Sequence, residues 1–373
     1  MSENTHIFSG EETAVPKVPL PSFLSKETVE AYFKSHPEVW NYYLQLPSSM
    51  QEELICFCMG KQGLKITYDS VFKQIFNTNS ETGFKRIERL LSAILCRSVK
   101  IIRFMPREGT QMSESASFVV MDILVQLEDK SFANIEMQKI GYNFPLSRAD
   151  CYVSDIIMRQ YVTAKSELGS EFSFNDMHKV YCIILMEYSP KEFHSVPGKY
   201  MHRRIPSFDT GIYKNSSGLH EDIFICLDSF RSIVHTITKE SNELEAWLTF
   251  LSATDVNIIS ALIEAFPSFT SIYQEIADFV KNPEELIHML SKELYIMDKN
   301  MERLMVAQLQ EEVNAEKKRA DDITIERDNA VTERNNAIVE CQILRLSRKN
   351  RSPEEIADAL KLSLEYINSI LDR

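Results

Sequence analysis

Residues 117–138 constrain the fold more than any other part of the chain. They hold two apolar runs, SFVVMDILVQL (117–127) and SFANIEMQ (131–138), separated only by Glu128-Asp129-Lys130. Runs rich in Val, Ile, Leu and Phe joined by a short polar turn predict a β-hairpin. A third β-like run, VKIIRFM (99–105), precedes it, and KVYCIILMEYS (179–189) is apolar enough to predict a buried strand. A helix fits 146–166, and helical periodicity marks YDSVFKQIF and GFKRIERLLSAILCR, where Phe84, Ile87, Leu91 and Ile94 recur at three to four. DIFICLDS (222–229) predicts a further strand, after a loop containing Pro197, Pro206 and the basic run His202, Arg203, Arg204. The order α-β-β-β-α-β predicts an α/β fold, a mixed sheet with helices on its faces.

The flanks read differently. Residues 1–21 are polar and proline-bearing, without the apolar segment of a secretory signal, and are expected to be a disordered leader. Residues 22–63 read as a helical cap, with Ser25 at one helix start and Pro47-Ser48-Ser49 at another. The α/β core is expected over 64–235. Residues 240–298 are helix-forming and acidic. From 299 to 345 there is no proline or glycine, and ERDNAV (326–331) recurs seven residues on as ERNNAI (333–338). That echo stacks Ala330 and Val331 with Ala337 and Ile338 in a coiled-coil-like stripe. Such a helix pairs with a second copy, giving a homodimer, stands as a lone solvated helix, or packs within its own chain. The tail, 352–373, has the pattern of a small helix-turn-helix, with Ile356, Ala357, Leu360, Leu362, Ile367 and Leu371 as its candidate core.

Composition removes several classes. No apolar run approaches the roughly 20 residues that span a bilayer, so no membrane partner is expected. The seven cysteines are scattered without C-x-x-C or a Cys/His pair at zinc spacing, which argues against zinc and for a reducing, cytoplasmic setting. A formal net charge of −13 argues against bulk coating of nucleic acid. The charge is uneven: residues 69–107 hold eight Lys/Arg against three Asp/Glu, and residues 240–302 hold three lysines against twelve acids. Phosphate-binding glycine loops, G-x-S-x-G and H-E-x-x-H are absent from the sequence.

The chemistry points to the hairpin. A carboxylate in an apolar strand needs a partner to offset its lost hydration, and here Asp122 and Glu136 fall on neighbouring strands. Glu136 and Gln138 are two apart and share a sheet face. If Asp122 projects from that face too, the two carboxylates converge and repel unless a proton or cation lies between them. Mg²⁺ or Mn²⁺ would relieve the repulsion, leave positions for water and phosphate, and support phosphodiester hydrolysis. On the following helix, Arg148, Tyr152, Asp155 and Arg159 are spaced four, three and four on one face. They suit either the phosphates of DNA or an internal ion network.

These segments, GLKITYDSVFKQIF (63–76), MDILVQL (121–127) and NIEMQKIGYNFPLSRADCYVSDIIMRQY (134–161), resemble the PD-(D/E)XK nuclease superfamily. The closer resemblance is to the bacterial Rpn group of recombination-promoting nucleases, also labelled PD-(D/E)XK family transposases. The resemblance implies an αβββαβ core, a divalent-metal site and endonucleolytic DNA cleavage. It gives Asp122 the role of the motif aspartate and Glu136 that of the second acid, the two holding the metal. Gln138 stands where the superfamily usually has lysine, and a neutral amide can only orient a water or phosphate. Asp69 matches a D-x-x-F-K motif and becomes a third acid near the metal, although a helix N-terminus alone also favours aspartate. Lys73 is close enough in the pattern to reach in, and with Arg148, Tyr152 and Arg159 is expected to contact DNA. The alternative is a degenerate nuclease fold that acts as an interaction or DNA-binding protein through its coiled coil and tail.

Overall fold

Three short helices come first, α1 (Lys26–Lys34), α2 (Pro37–Gln45) and α3 (Ser48–Cys58). Ser25 caps α1 reciprocally with Thr28, and Pro37 opens α2 at a position whose N–H would have no helical partner. Gly60 follows α3 with φ at 67°, and a Cβ there would lie 2.5 Å from the Pro21 carbonyl oxygen, so only glycine fits this turn. The computed structural model describes residues 18–106, 121–140, 146–212, 218–234 and 236–372. The expected leader lies outside them up to residue 17, as do 117–120 of the hairpin's first run.

Helices α4 (Asp69–Ile75) and α5 (Glu81–Leu95) lead into the sheet. Its strands are β1 (Ile101–Phe104), β2 (Ile123–Leu127), β3 (Phe132–Ile140), β4 (Val180–Tyr188), β5 (Met201–Arg204) and β6 (His220–Cys226), in the order β1-β2-β3-β4-β6-β5. The β1–β2, β2–β3 and β5–β6 pairs are antiparallel, whereas β3–β4 and β4–β6 are parallel. The sheet is therefore mixed, in agreement with the α/β expectation. Helix α6 (Leu146–Leu168) makes the crossover between the parallel strands β3 and β4. Its Ala149, Tyr152, Val153 and Ile156 pack on a face that presents Leu124, Phe132, Cys182 and Ile184.

The other face presents Ile123, Val125, Ile135, Ile183, Leu185 and Ile223 to a larger core. That core takes in the N-terminal helices and four more, α7 (Leu227–Ile233), α8 (Glu243–Ser252), α9 (Val256–Ala265) and α10 (Thr270–Asp278). Trp247 of α8 is fully buried, 4.9 Å from the Phe269 ring and 5.8 Å from Phe76 of the α4 segment, measured between centroids. The acidic region thus buries an aromatic face on the nuclease-like core and turns its charges outward. The first turns of α11 (Pro283–Ser347) add Leu286, Ile287 and Leu290 to the same core.

One strand departs from the sequence reading. His202, Arg203 and Arg204, expected in a loop, form the edge strand β5. Short polar strands at a sheet edge give no alternating apolar signal. Their arginines are satisfied within the fold: Arg203 pairs with Glu221 at 2.6 Å, and Arg204 with Asp222 at 2.7 Å and with Asp150.

Residues 301–373 form a second compact unit. Helices α12 (Pro353–Leu360) and α13 (Leu364–Leu371) are joined through Lys361 in the left-handed conformation, φ 54°. Two such helices bury too little alone. The third surface is the end of α11, whose Ile343 joins Ile356, Ile367 and Ile370 in a small closed core.

Candidate active site

The β2–β3 register sets Ile123 opposite Ile135, so one step earlier Asp122 comes opposite Glu136. Each acid is then held by the other strand. Glu136 Oε1 accepts the Asp122 backbone N–H at 3.1 Å, and Asp122 Oδ2 accepts the Met137 N–H at 3.0 Å. Both carboxylates lie on the α6 face of the sheet, at the mouth of the hairpin. Asn134, two residues before Glu136 and on the same face, donates its amide Nδ2 to Glu136 Oε1 at 3.0 Å.

Glu136 is only 1 % exposed. Burial, reinforced by the neighbouring Asp122 charge, pushes its carboxyl up to about 8. The hydrogen bonds from Asn134 and the Asp122 N–H, with the Arg148 charge, act in the opposite direction. This is the response of two acids brought together in a low-dielectric site.

From α4, Lys73 reaches across to both remaining acids. Its ammonium lies 2.6 Å from Asp69 Oδ1 and 2.9 Å from Asp122 Oδ1. Burial works against this charge, but Asp122 and Asp69 outweigh it and raise the lysine's pKa. Asp69, Lys73, Asp122 and Glu136 therefore form one charged constellation, drawn from a helix and two strands. Phe72 and Phe76, between which Lys73 sits in sequence, are core residues with ring centroids 4.7 Å apart.

The face predicted on α6 divides in two. Arg148 Nε donates to the Tyr152 hydroxyl at 2.8 Å, and Tyr152 feels the Glu136 charge, so this pair borders the acids. Tyr152 is 2 % exposed, and burial first, then Glu136, raises its pKa. Tyr152, expected to contact DNA, is buried here, its ring completing the core between α6 and the sheet. Arg159 belongs to the other half. It pairs with Asp155 at 2.7 Å and donates to the Pro106 carbonyl at 2.7 Å, which makes it an anchor for the chain after β1.

Gln138 is half-buried and aligned with Met186, and its amide has no hydrogen-bond partner among the described residues. Lys139 points to the opposite face, its ammonium 4.4 Å from the Tyr68 ring centroid, as the alternation of a strand requires. Asn134 was missed from sequence. Its signal was an amide two residues before the acid inside an otherwise apolar run.

Ser189, His194 and Asp228 form a second polar cluster, but its geometry is not that of a nucleophilic triad. The serine and aspartate both approach His194 Nε2, at 2.8 and 3.2 Å, and the serine hydroxyl donates to Asp228 Oδ1. A triad needs the two groups on opposite ring nitrogens. Here Asp228 ties the end of β4 to the start of α7.

In the metal-free protein, the raised Glu136 carboxyl has a consequence for stability. An unfolded glutamate loses its proton near about 4.3, whereas the folded one keeps it up to about 8. Between those values the folded state binds more protons, so this contribution is present at low pH and lost as pH rises. Thermal melts in chelator should show Glu136→Gln gaining on wild type from pH 5 to pH 8.5. A difference that stays constant with pH contradicts the assignment.

Among the described residues, no three His, Cys, Asp or Glu side chains gather as a closed metal cage. What is present is a pair of carboxylates offering hard oxygen ligands, with a lysine as the third pole. No curated protein and no solved structure matches the chain. A family model, PD-(D/E)XK nuclease family transposase, matches residues 66–304, more than half of the 373. The match takes in α4, the hairpin acids, the whole sheet and the helices α8 to α10 that share its core. On this match over more than half of its length, the chain belongs to the PD-(D/E)XK nuclease family transposases.

Proposed function

We propose that the chain is a divalent-metal-dependent DNA endonuclease, acting in the cytoplasm in the setting of recombination or mobile elements. The observation that carries this reading is the convergence of Asp122 and Glu136, each held by the backbone or strand of the other. PD-(D/E)XK nucleases generally use divalent metals, and two hard-oxygen acids that disfavour each other's charge fit Mg²⁺ or Mn²⁺. Asp122 and Glu136 would hold the ion, which supplies a more acidic bound water and neutralises charge on the phosphate. Asn134 keeps the Glu136 carboxylate oriented. Gln138, with its free amide among the described residues, orients the water or a phosphate oxygen.

Lys73 supplies what Gln138 cannot. Anchored by Asp69, its ammonium stands at the acids and stabilises negative charge on the phosphate during attack. It holds its proton too firmly to act as the base. Arg148, beside Tyr152, is positioned to meet the phosphate backbone at the rim. Cleavage of supercoiled plasmid by wild type, Asp122→Ala and Glu136→Ala tests the reading. Equal activity in all three rejects it.

The second unit supports self-association. Ile323, Val331, Ile338 and Leu344 are 65, 50, 45 and 45 % exposed along one helix, a large apolar exposure for a free surface. We propose a homodimer through α11. Sedimentation should give a dimer for the full chain and a monomer for Val331→Glu/Ile338→Glu; an unchanged mass for the double variant removes the proposal.

A further inference from the structure

On a chain of net charge −13, the end of α11 is an exception. Between Glu340 and Glu354 there is no acid, and Arg345, Arg348, Lys349 and Arg351 fall within seven residues. All four side chains are exposed, and none has an ion pair among the described residues. The ion pairs described on α11 lie further back, at Arg319–Glu316 and Arg327–Asp328.

The negative end of a helix favours a cation in the last turn, which accounts for Arg345. Three more cations after Ser347, where α11 ends, exceed that need and repel one another unless an anion is present. They stand on a fixed platform, because Ile343 locks this end of α11 onto Ile356, Ile367 and Ile370. At about 3.6 residues per turn, Arg345 and Arg348 fall on the side away from Ile343 and face solvent. The helix pair beside them is not built to read bases. The exposed positions of α13 and its cap are Leu364, Glu365, Asn368, Ser369 and Asp372, two carboxylates and no cation. In a groove, those acids would be repelled by the phosphates on either side.

We propose that the end of α11 is a second contact with duplex DNA, in which Arg345, Arg348, Lys349 and Arg351 hold the phosphate backbone without reading sequence. Three arginines among the four suit paired N–H donation to phosphate oxygens. A lipid surface fits less well: Leu346, the apolar side chain of the run, packs on the tail core and is not offered to a membrane. A tethered second contact raises the local concentration of substrate and takes no part in cleavage. This inference rests on the reading of the chain as a DNA-cleaving enzyme.

The test is binding of a labelled random-sequence duplex to the full chain, followed by fluorescence anisotropy in chelator across a range of salt. Changing all four residues to glutamine should weaken binding about tenfold at low salt and lower the slope of log K against log salt by about three. Arg348→Gln/Arg351→Gln, both beyond the helix, should lower the slope by about two and serves if the fourfold variant does not fold. Arg345→Lys/Arg348→Lys/Arg351→Lys keeps the charge and should keep the slope. A wild-type slope in the glutamine variants overturns the proposal, as does equal affinity of the wild type for polyglutamate or for phosphatidylglycerol vesicles. Plasmid cleavage by Asp122→Ala separates the two levels. Wild-type cleavage by that variant rejects the metal-site reading and leaves this contact standing; lost cleavage, with an unchanged slope in the glutamine variants, rejects only the contact.

Discussion

Asp122→Asn is expected to lower plasmid cleavage by about three orders of magnitude while leaving the fold in place. The substitution is nearly isosteric. The side-chain oxygen can still accept the Met137 N–H, so the hairpin mouth keeps its backbone lock. What is lost is the negative charge. The new amide NH₂ would face the Lys73 ammonium, which now lies 2.9 Å from Oδ1, and one of the two proposed anionic metal ligands would be gone. A neutral amide oxygen binds a hard dication far less strongly than a carboxylate does. Initial cleavage rates, with circular dichroism and melting as the check on folding, decide the matter. Activity within tenfold of wild type removes Asp122 from the chemistry.

Lys73→Met is the second large effect, and it has an opposite sign in two measurements. Cleavage should drop about 100-fold, as for removal of one preorganised group that stabilises transition-state charge. Metal affinity should not fall with it. The ammonium contacts the same Asp122 carboxylate that would hold the ion, so removing it frees a ligand and removes a repulsive charge. Equal or tighter Mn²⁺ binding with slow cleavage is the expected pattern. Parallel loss of binding and cleavage would mean that Lys73 only organises the acids.

The sheet was legible in the sequence because burial on two faces demands near-continuous apolar runs. The runs at 131–138 and 179–189 became β3 and β4 almost to their ends. The acids were legible for the same reason: Asp122 and Glu136 interrupt such runs, and an unpaired buried carboxylate is costly. Strand β5 was not, because MHRR has no apolar alternation and its arginines find Glu221 and Asp222 only across the sheet. The alignment of Gln138 with Met186 was hidden as well. Register between parallel strands is set by the crossover packing of α6 and the later connections, and no local spacing records it. Nor did the acidic stretch reveal that Trp247 seals the core against Phe76, since helical periodicity names a buried face without naming its partner.

The proposed site holds one divalent ion between the hairpin acids. The most direct measurement is anomalous scattering from a crystal grown with Mn²⁺. A peak within coordination distance of both Asp122 and Glu136 carboxylate oxygens, about 2.2 Å, is the predicted result. Manganese bound elsewhere, with Lys73 still bridging Asp69 and Asp122, would contradict it.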